Sequence, residues 1–114
     1  MPVTTDLKTL TIANGATTSD TFVGNLMAAY ALQMPAAMTG ASIGFSVSAD
    51  GTTFGTLRYV SDESTGATSP VIIVFTASMA VPLPDALTAW KAWRIVSASA
   101  EGAARTFTVI GKAP

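Results

Sequence analysis

Residues 42–48, S-I-G-F-S-V-S, place Ile43, Phe45 and Val47 at alternate positions, with Gly44, Ser46 and Ser48 between them. A period of two belongs to a strand with one buried face. Asp50-Gly51 follows as a tight-turn dipeptide, because glycine takes the positive φ that such turns need. Leu57 and Tyr59 then alternate with Arg58 and Val60 on a returning strand. The stretch 35–60 thus predicts strand, turn and strand, which commits the chain to antiparallel sheet.

The remaining segments fit around this hairpin. Residues 7–13 predict a first strand, with Leu10 and Ile12 inward and Thr9 and Thr11 outward, ended by Asn14-Gly15. Residues 17–23 predict a weaker, Thr-rich edge strand. In 25–34 helix formers recur at helical spacing, yet Tyr30, Leu32 and Met34 also alternate. We read a strand entered through Gly24-Asn25, with a short helix as the alternative, and Pro35 stops either. The polar run 61–70 predicts a loop. The apolar run 71–76 predicts a strand central in its sheet or buried on both faces.

Prolines 82 and 84 hold the residues before them extended, and Asp85 then offers an N-cap for one turn through Ala86, Leu87 and Trp90. Residues 92–98 predict a strand with Trp93 and Ile95 inward and Arg94 and Val96 outward. Glu101-Gly102 turns the chain, and 105–111 closes it with Phe107 and Val109 inward. About eight short strands at hairpin spacing, with one or two helical turns at most, define an all-β antiparallel β-sandwich of jelly-roll type. Its expected core is Ile43, Phe45, Val47, Val71, Ile73, Phe75, Ile95, Phe107 and Val109. One domain spans 1–114, with 1–6 as a short N-terminal arm.

Charged residues make up 11% of the 114, and apolar ones 49%. An ordinary soluble domain carries roughly 25% charge, so much of this surface is expected to meet other protein. A net charge of −1 with no basic run predicts no nucleic-acid partner. The apolar window 71–90 has the length of a membrane span but contains Pro82, Pro84 and Asp85, so no membrane partner is expected. The N-terminal residues lack the basic and apolar regions of a secretion leader.

The sequence contains neither His nor Cys, which removes the commonest general base and the soft metal ligands. Neither a G-x-S-x-G elbow nor a phosphate-cradling glycine motif occurs. Asp6, Asp20, Asp50, Asp62, Glu63, Asp85 and Glu101 sit at turns or strand ends, where solvated acids are expected. Asp50, Asp62 and Glu63 offer a calcium alternative, but Asp-Gly serves hairpin chemistry first. The chain is therefore expected to be no enzyme, with no catalytic residue, metal or cofactor. Trp90 and Trp93 are read as core or interface, with a sugar-stacking platform as the alternative.

The run 34–54, M-P-A-A-M-T-G-A-S-I-G-F-S-V-S-A-D-G-T-T-F, resembles small β-rich virion proteins of tailed bacteriophages. Gly66, the segment Ala80-Val81-Pro82-Leu83 and the Trp93-Arg94-Ile95 strand occupy the places of that pattern's later elements. The resemblance implies a capsid decoration, or cement, protein on the capsid surface of a virion. Its implied partner is the major capsid protein, and no catalytic residue is carried over. A neck or tail accessory protein shares the same features. V-S-A-D-G-T-T-F also resembles the hairpin of discoidin-like and carbohydrate-binding sandwiches, which keeps a glycan-binding module as the alternative.

Decoration proteins commonly meet on three-fold axes, so a homotrimer is expected. The candidate contact surfaces are the 17–23 edge, the methionine-bearing segment 26–38 and the arm 1–6. Within and beyond them, the interface residues selected are Phe22, Leu26, Met27, Met34, Met38 and Trp90.

Overall fold

The computed structural model describes residues 5–23 and 29–112. Its first sheet holds four strands in the order β1 (Thr5–Ile12), β11 (Arg105–Lys112), β3 (Ala29–Gln33) and β9 (Ala80–Pro82). The second runs β2 (Phe22–Val23), β10 (Ala92–Ser97), β4 (Ser42–Ser48), where β4 pairs along its other edge with both β5 (Gly55–Thr56) and β8 (Ile72–Val74). All these pairs are antiparallel. The last strand therefore returns beside the first, and the penultimate one beside the second. Leaving aside the two-residue β5, this is the strand order of a jelly roll, two four-stranded sheets closed face to face. A third, two-stranded sheet, β6 (Arg58–Asp62) with β7 (Ala67–Pro70), is inserted between β4 and β8.

Alternation builds the interior as expected. Ile43, Phe45 and Val47 of β4 face Trp93 and Ile95 of β10 and, from the other sheet, Leu10, Ile12, Leu32, Phe107 and Val109. Tyr30, Leu32 and Met34 are all buried, so 29–33 is a strand and not a helix. Its entry through Gly24-Asn25 lies outside the described residues. The 17–23 segment forms the second sheet's edge: Ser19 and Ser97 amides bond the Ile95 and Thr17 carbonyls at 2.9 and 2.7 Å. Ser19 also bridges Ile12 of β1, tying one sheet to the other.

Several expectations are corrected. The Asp50-Gly51 turn does not join two long strands. Asp50 Oδ1 instead accepts from the Thr52 and Thr53 amides and the Ser48 hydroxyl, each within 2.9 Å, and folds 49–54 into a wide Asx-type loop. The returning strand pairs with β4 at Gly55–Thr56, bonds it once more from the Leu57 amide to the Phe45 carbonyl at 2.8 Å, and then leaves the sheet. Residues 61–70 are not all loop, because β7 pairs with β6 around a turn at Gly66, where φ is +74°. The 71–76 run is not central. β8 lies at an edge, with Ile72 and Val74 exposed and Val71, Ile73 and Phe75 only half-buried against the core. Asp85 begins a 3₁₀ turn, Asp85–Ala89, but no side chain caps it; burial of Leu87 holds the turn down.

Glu101 is the largest departure from expectation. It is buried, not solvated, at the connection between β10 and β11. Oε1 accepts from the Thr39 amide at 2.7 Å and from Arg105 Nε at 3.0 Å. Oε2 accepts from the Gly40 amide at 2.9 Å and the Ser97 hydroxyl at 2.7 Å. Burial pushes the carboxyl's pKa up, but these hydrogen bonds to the charged form outweigh it and hold the group down at about 2. One carboxylate thereby fastens the loop before β4 to the last hairpin.

Glycine at position 40 follows from that site. A Cβ there would lie 2.1 Å from Ser97 Oγ and 3.2 Å from the Ala98 amide nitrogen. Gly40→Ala should therefore destabilise the fold by about 1–3 kcal/mol, as overpacking does. Urea titration checks this, with Gly40→Ala/Ser97→Ala expected to be less damaged by the added methyl than the single variant is.

Candidate interface surfaces

The residues selected as interface candidates scatter. Phe22 is 3% exposed because the edge strand turns its ring inward, where it stacks on Trp93 at 4.7 Å between centroids. Met34 is also 3% exposed, on the inward face of the chain just beyond β3. Both are core residues and present no side chain to a neighbour, which corrects that expectation. Met38 is half-buried against the core. Leu26 and Met27 lie outside the described residues, as does most of the 1–6 arm. Within that arm, Thr5 and Asp6 already pair with Lys112 and Gly111.

Trp90 and Trp93 part company. Trp93 is fully buried amid Phe22, Tyr30 and Phe45, so no sugar can stack on it. Trp90 is half-buried, leaning on the core from the end of the 3₁₀ turn. It forms one wall of an open cleft of about 570 Å³, with Val47, Phe54, Leu57 and Arg58 among the other walls. The wide Asp50 loop makes this cleft, because 49–54 swings out from β4 before β5 returns.

The cleft is mostly apolar, with one cation and one acid, Arg58 and Asp50, in its walls and two further cations close by. Arg94 reaches from β10 over the ring of Phe54, 3.9 Å from its centroid, and its Nε donates to Thr21 Oγ1. The Lys91 side chain runs beside Gly51, where a Cβ would meet its Cε at 3.8 Å. On the acidic side, Asp50 sits in the loop with its pKa lowered by the Thr53 and Thr52 amides and the Ser48 hydroxyl.

Next to the cleft stands the β6–β7 ribbon, whose first residues, 58–60, belong to the expected returning strand and whose remainder falls in the expected loop 61–70. Every residue of β6 is exposed, including Tyr59 at 52% and Val60 at 57%. Arg58 pins its base by donating to Thr68 Oγ1 and the Thr68 carbonyl at 2.8 and 2.9 Å. At its turn, the Ser64 hydroxyl and amide bond Asp62 Oδ1 and lower that acid's pKa. The chain leaving the ribbon passes into β8, whose Ile72 and Val74 are 56% and 68% exposed. The signals for this element were Tyr59 and Val60, both strand formers, and Gly66 as the turn residue.

Among the described residues no three His, Cys, Asp or Glu side chains gather to hold a metal. No helix among them is long and apolar enough to cross a membrane.

Fold and surface together define a jelly-roll β-sandwich with an exposed ribbon beside a mostly apolar cleft. The structure is similar to that of the SPBc2 prophage-derived protein YomS, with a TM-score of 0.59 and 12% identity over 96% of each chain. A structure described with the disulfide-linked pili of Bacillus endospore appendages is 13% identical over 97% of this chain and 87% of that one, at a TM-score of 0.49. No protein-family model and no curated protein matches the sequence.

Proposed function

We propose that this chain is a non-enzymatic structural subunit of a bacteriophage particle: a capsid decoration protein that bridges neighbouring major capsid proteins on the outer shell. The observation that carries this reading is the structural likeness, over nearly the whole of both chains, to a prophage-derived protein. The low charge, the missing His and Cys and the resemblance of 34–54 to small virion proteins support it. So does the run of exposed Tyr59, Val60, Ile72 and Val74, apolar surface of the kind that marks protein contacts. In this reading three copies meet around a three-fold axis of the shell.

A second reading is favoured by one feature. Trp90 lies in an open cleft beside Asp50 and Arg58, the pairing of an aromatic face with polar groups that sugar recognition uses. In that reading the domain is a carbohydrate-binding module on the virion surface.

Binding to shells separates the two. Purified protein added to particles that lack it should saturate at a copy number fixed by the shell lattice and should raise the particles' resistance to heat. Absence of binding to shells, combined with glycan-array binding that Trp90→Ala abolishes, would replace decoration by sugar recognition.

A further inference from the structure

We propose that the β6–β7 ribbon of one copy docks, Tyr59 foremost, in the Trp90 cleft of a second copy of this same chain. The inference rests on the structural-subunit reading only in that copies must meet.

The ribbon has no interior of its own. All of β6 is exposed, as is β7 apart from the half-buried Ser69. A lone two-stranded ribbon is marginal in water, so this one gains order from what covers it. It nevertheless carries Tyr59 and Val60, two of the chain's exposed large apolar side chains. Tyrosine at the centre of a contact is among the residue types that dominate binding energy.

The cleft supplies the complementary half. At about 570 Å³, with Val47, Phe54, Leu57 and Trp90 among its walls, it has room for an aromatic ring and the backbone beside it. The charges match as well. The ribbon's turn carries the acidic pair Asp62 and Glu63, while Arg58 lines the cleft, Lys91 runs beside its loop at Gly51 and Arg94 lies over its wall at Phe54. Asp50, which also lines the cleft, offsets part of this positive charge; its Oδ1, like that of Asp62, accepts from its own loop. Opposed patches of this kind fix register and speed encounter.

Ribbon and cleft adjoin at Arg58. Made reciprocally, the contact closes a two-fold dimer; made in one direction only, it is head-to-tail. Such contacts close into rings when the rotation allows and otherwise run on into filaments. A ring of three would give the trimer proposed above. The surfaces used, however, are not the 17–23 edge or the 26–38 segment that the sequence singled out.

Sedimentation velocity on the purified full chain tests this. Wild type should self-associate with rising concentration, and more weakly at high salt. Tyr59→Ser and Asp62→Lys/Glu63→Lys should each weaken association at least tenfold, while circular dichroism stays that of the wild type. Lys91→Glu should weaken it too, and combining it with Asp62→Lys/Glu63→Lys should restore part of the loss. Because the chain has no cysteine, mixing Ser61→Cys, which keeps Tyr59, with Thr53→Cys should yield a disulfide-linked pair under oxidation. A chain that stays monomeric at millimolar concentration would overturn the proposal, as would an oligomer that these substitutions leave intact. Glycan binding lost in Trp90→Ala would overturn it as well, by giving the cleft another occupant. These outcomes are read on the purified chain and shell binding on the particle, so either reading can fail alone.

Discussion

Glu101→Gln should cost about 3–5 kcal/mol at neutral pH, the range for removing one partner from a buried, hydrogen-bonded charge pair. Four donors converge on the carboxylate: two backbone amides, the Ser97 hydroxyl and the Arg105 guanidinium. A glutamine offers one acceptor oxygen in place of two. The Ser97 hydroxyl can turn to accept from the new NH₂ group, but the Gly40 or Thr39 amide cannot, and a buried amide left unpaired costs about 1–3 kcal/mol.

The pH dependence carries its own signature. The folded-state pKa of about 2 lies below the ordinary 4.5. A depressed carboxylate contributes stability that is fully present above the ordinary value and lost as pH falls through the folded one. Wild type should therefore lose up to about 3 kcal/mol from this group between pH 4.5 and 2. Asp50 and Asp62, also depressed, add to the acid sensitivity of both proteins. Urea unfolding at pH 7, 4 and 3 should thus show the gap between wild type and Glu101→Gln narrowing on acidification. A gap independent of pH would mean that the carboxylate does not hold the loop as described.

Trp93→Ala should be at least as damaging, at about 3–5 kcal/mol. The indole is fully buried, stacked on Phe22 and met edge-on by Tyr30 at 5.8 Å and Phe45 at 6.1 Å. Its Nε1–H is buried and finds no hydrogen-bond partner among the described residues, an arrangement that costs stability in the wild type. Trp93→Phe removes that orphan donor along with part of the volume. It should therefore cost less than half of what Trp93→Ala costs. Chemical denaturation of the three proteins decides it: equal losses in Phe and Ala variants would show that the indole's polar edge is satisfied after all.

The elements legible in the sequence were those with one wet and one dry face. Ile43, Phe45 and Val47, the pair Trp93 and Ile95, and Phe107 with Val109 advertised their faces because the residues between them are small or polar. The same logic chose strand over helix at Tyr30, Leu32 and Met34. Where both faces of a strand share one character, the signal vanishes. The ribbon is wet on both sides, so 61–70 read as loop. β8 is apolar on both sides, so its outward Ile72 and Val74 looked like interior.

Pairings distant in sequence were equally silent. Nothing near Glu101 marks it as buried, because its amide donors Thr39 and Gly40 arrive from the far side of the chain. Phe22, set among threonines, looked like an edge residue because its partners Tyr30 and Trp93 become neighbours only after folding. The candidate surface was half legible: Trp90 was singled out, but its cleft is made by the Asp50 loop, and of the ribbon beside it only 58–60 was read as strand.

The central proposal is that this jelly roll is a shell-bound structural subunit of a phage, and image reconstruction of phage particles assembled with this chain present tests it most directly. The account predicts jelly-roll density repeated at lattice positions on the outer capsid surface, seated across major capsid proteins. The β6–β7 ribbon of each copy should reach the Trp90 cleft of the next around a three-fold axis. Density confined to the neck or tail, or a shell carrying no copy of this domain, would contradict it.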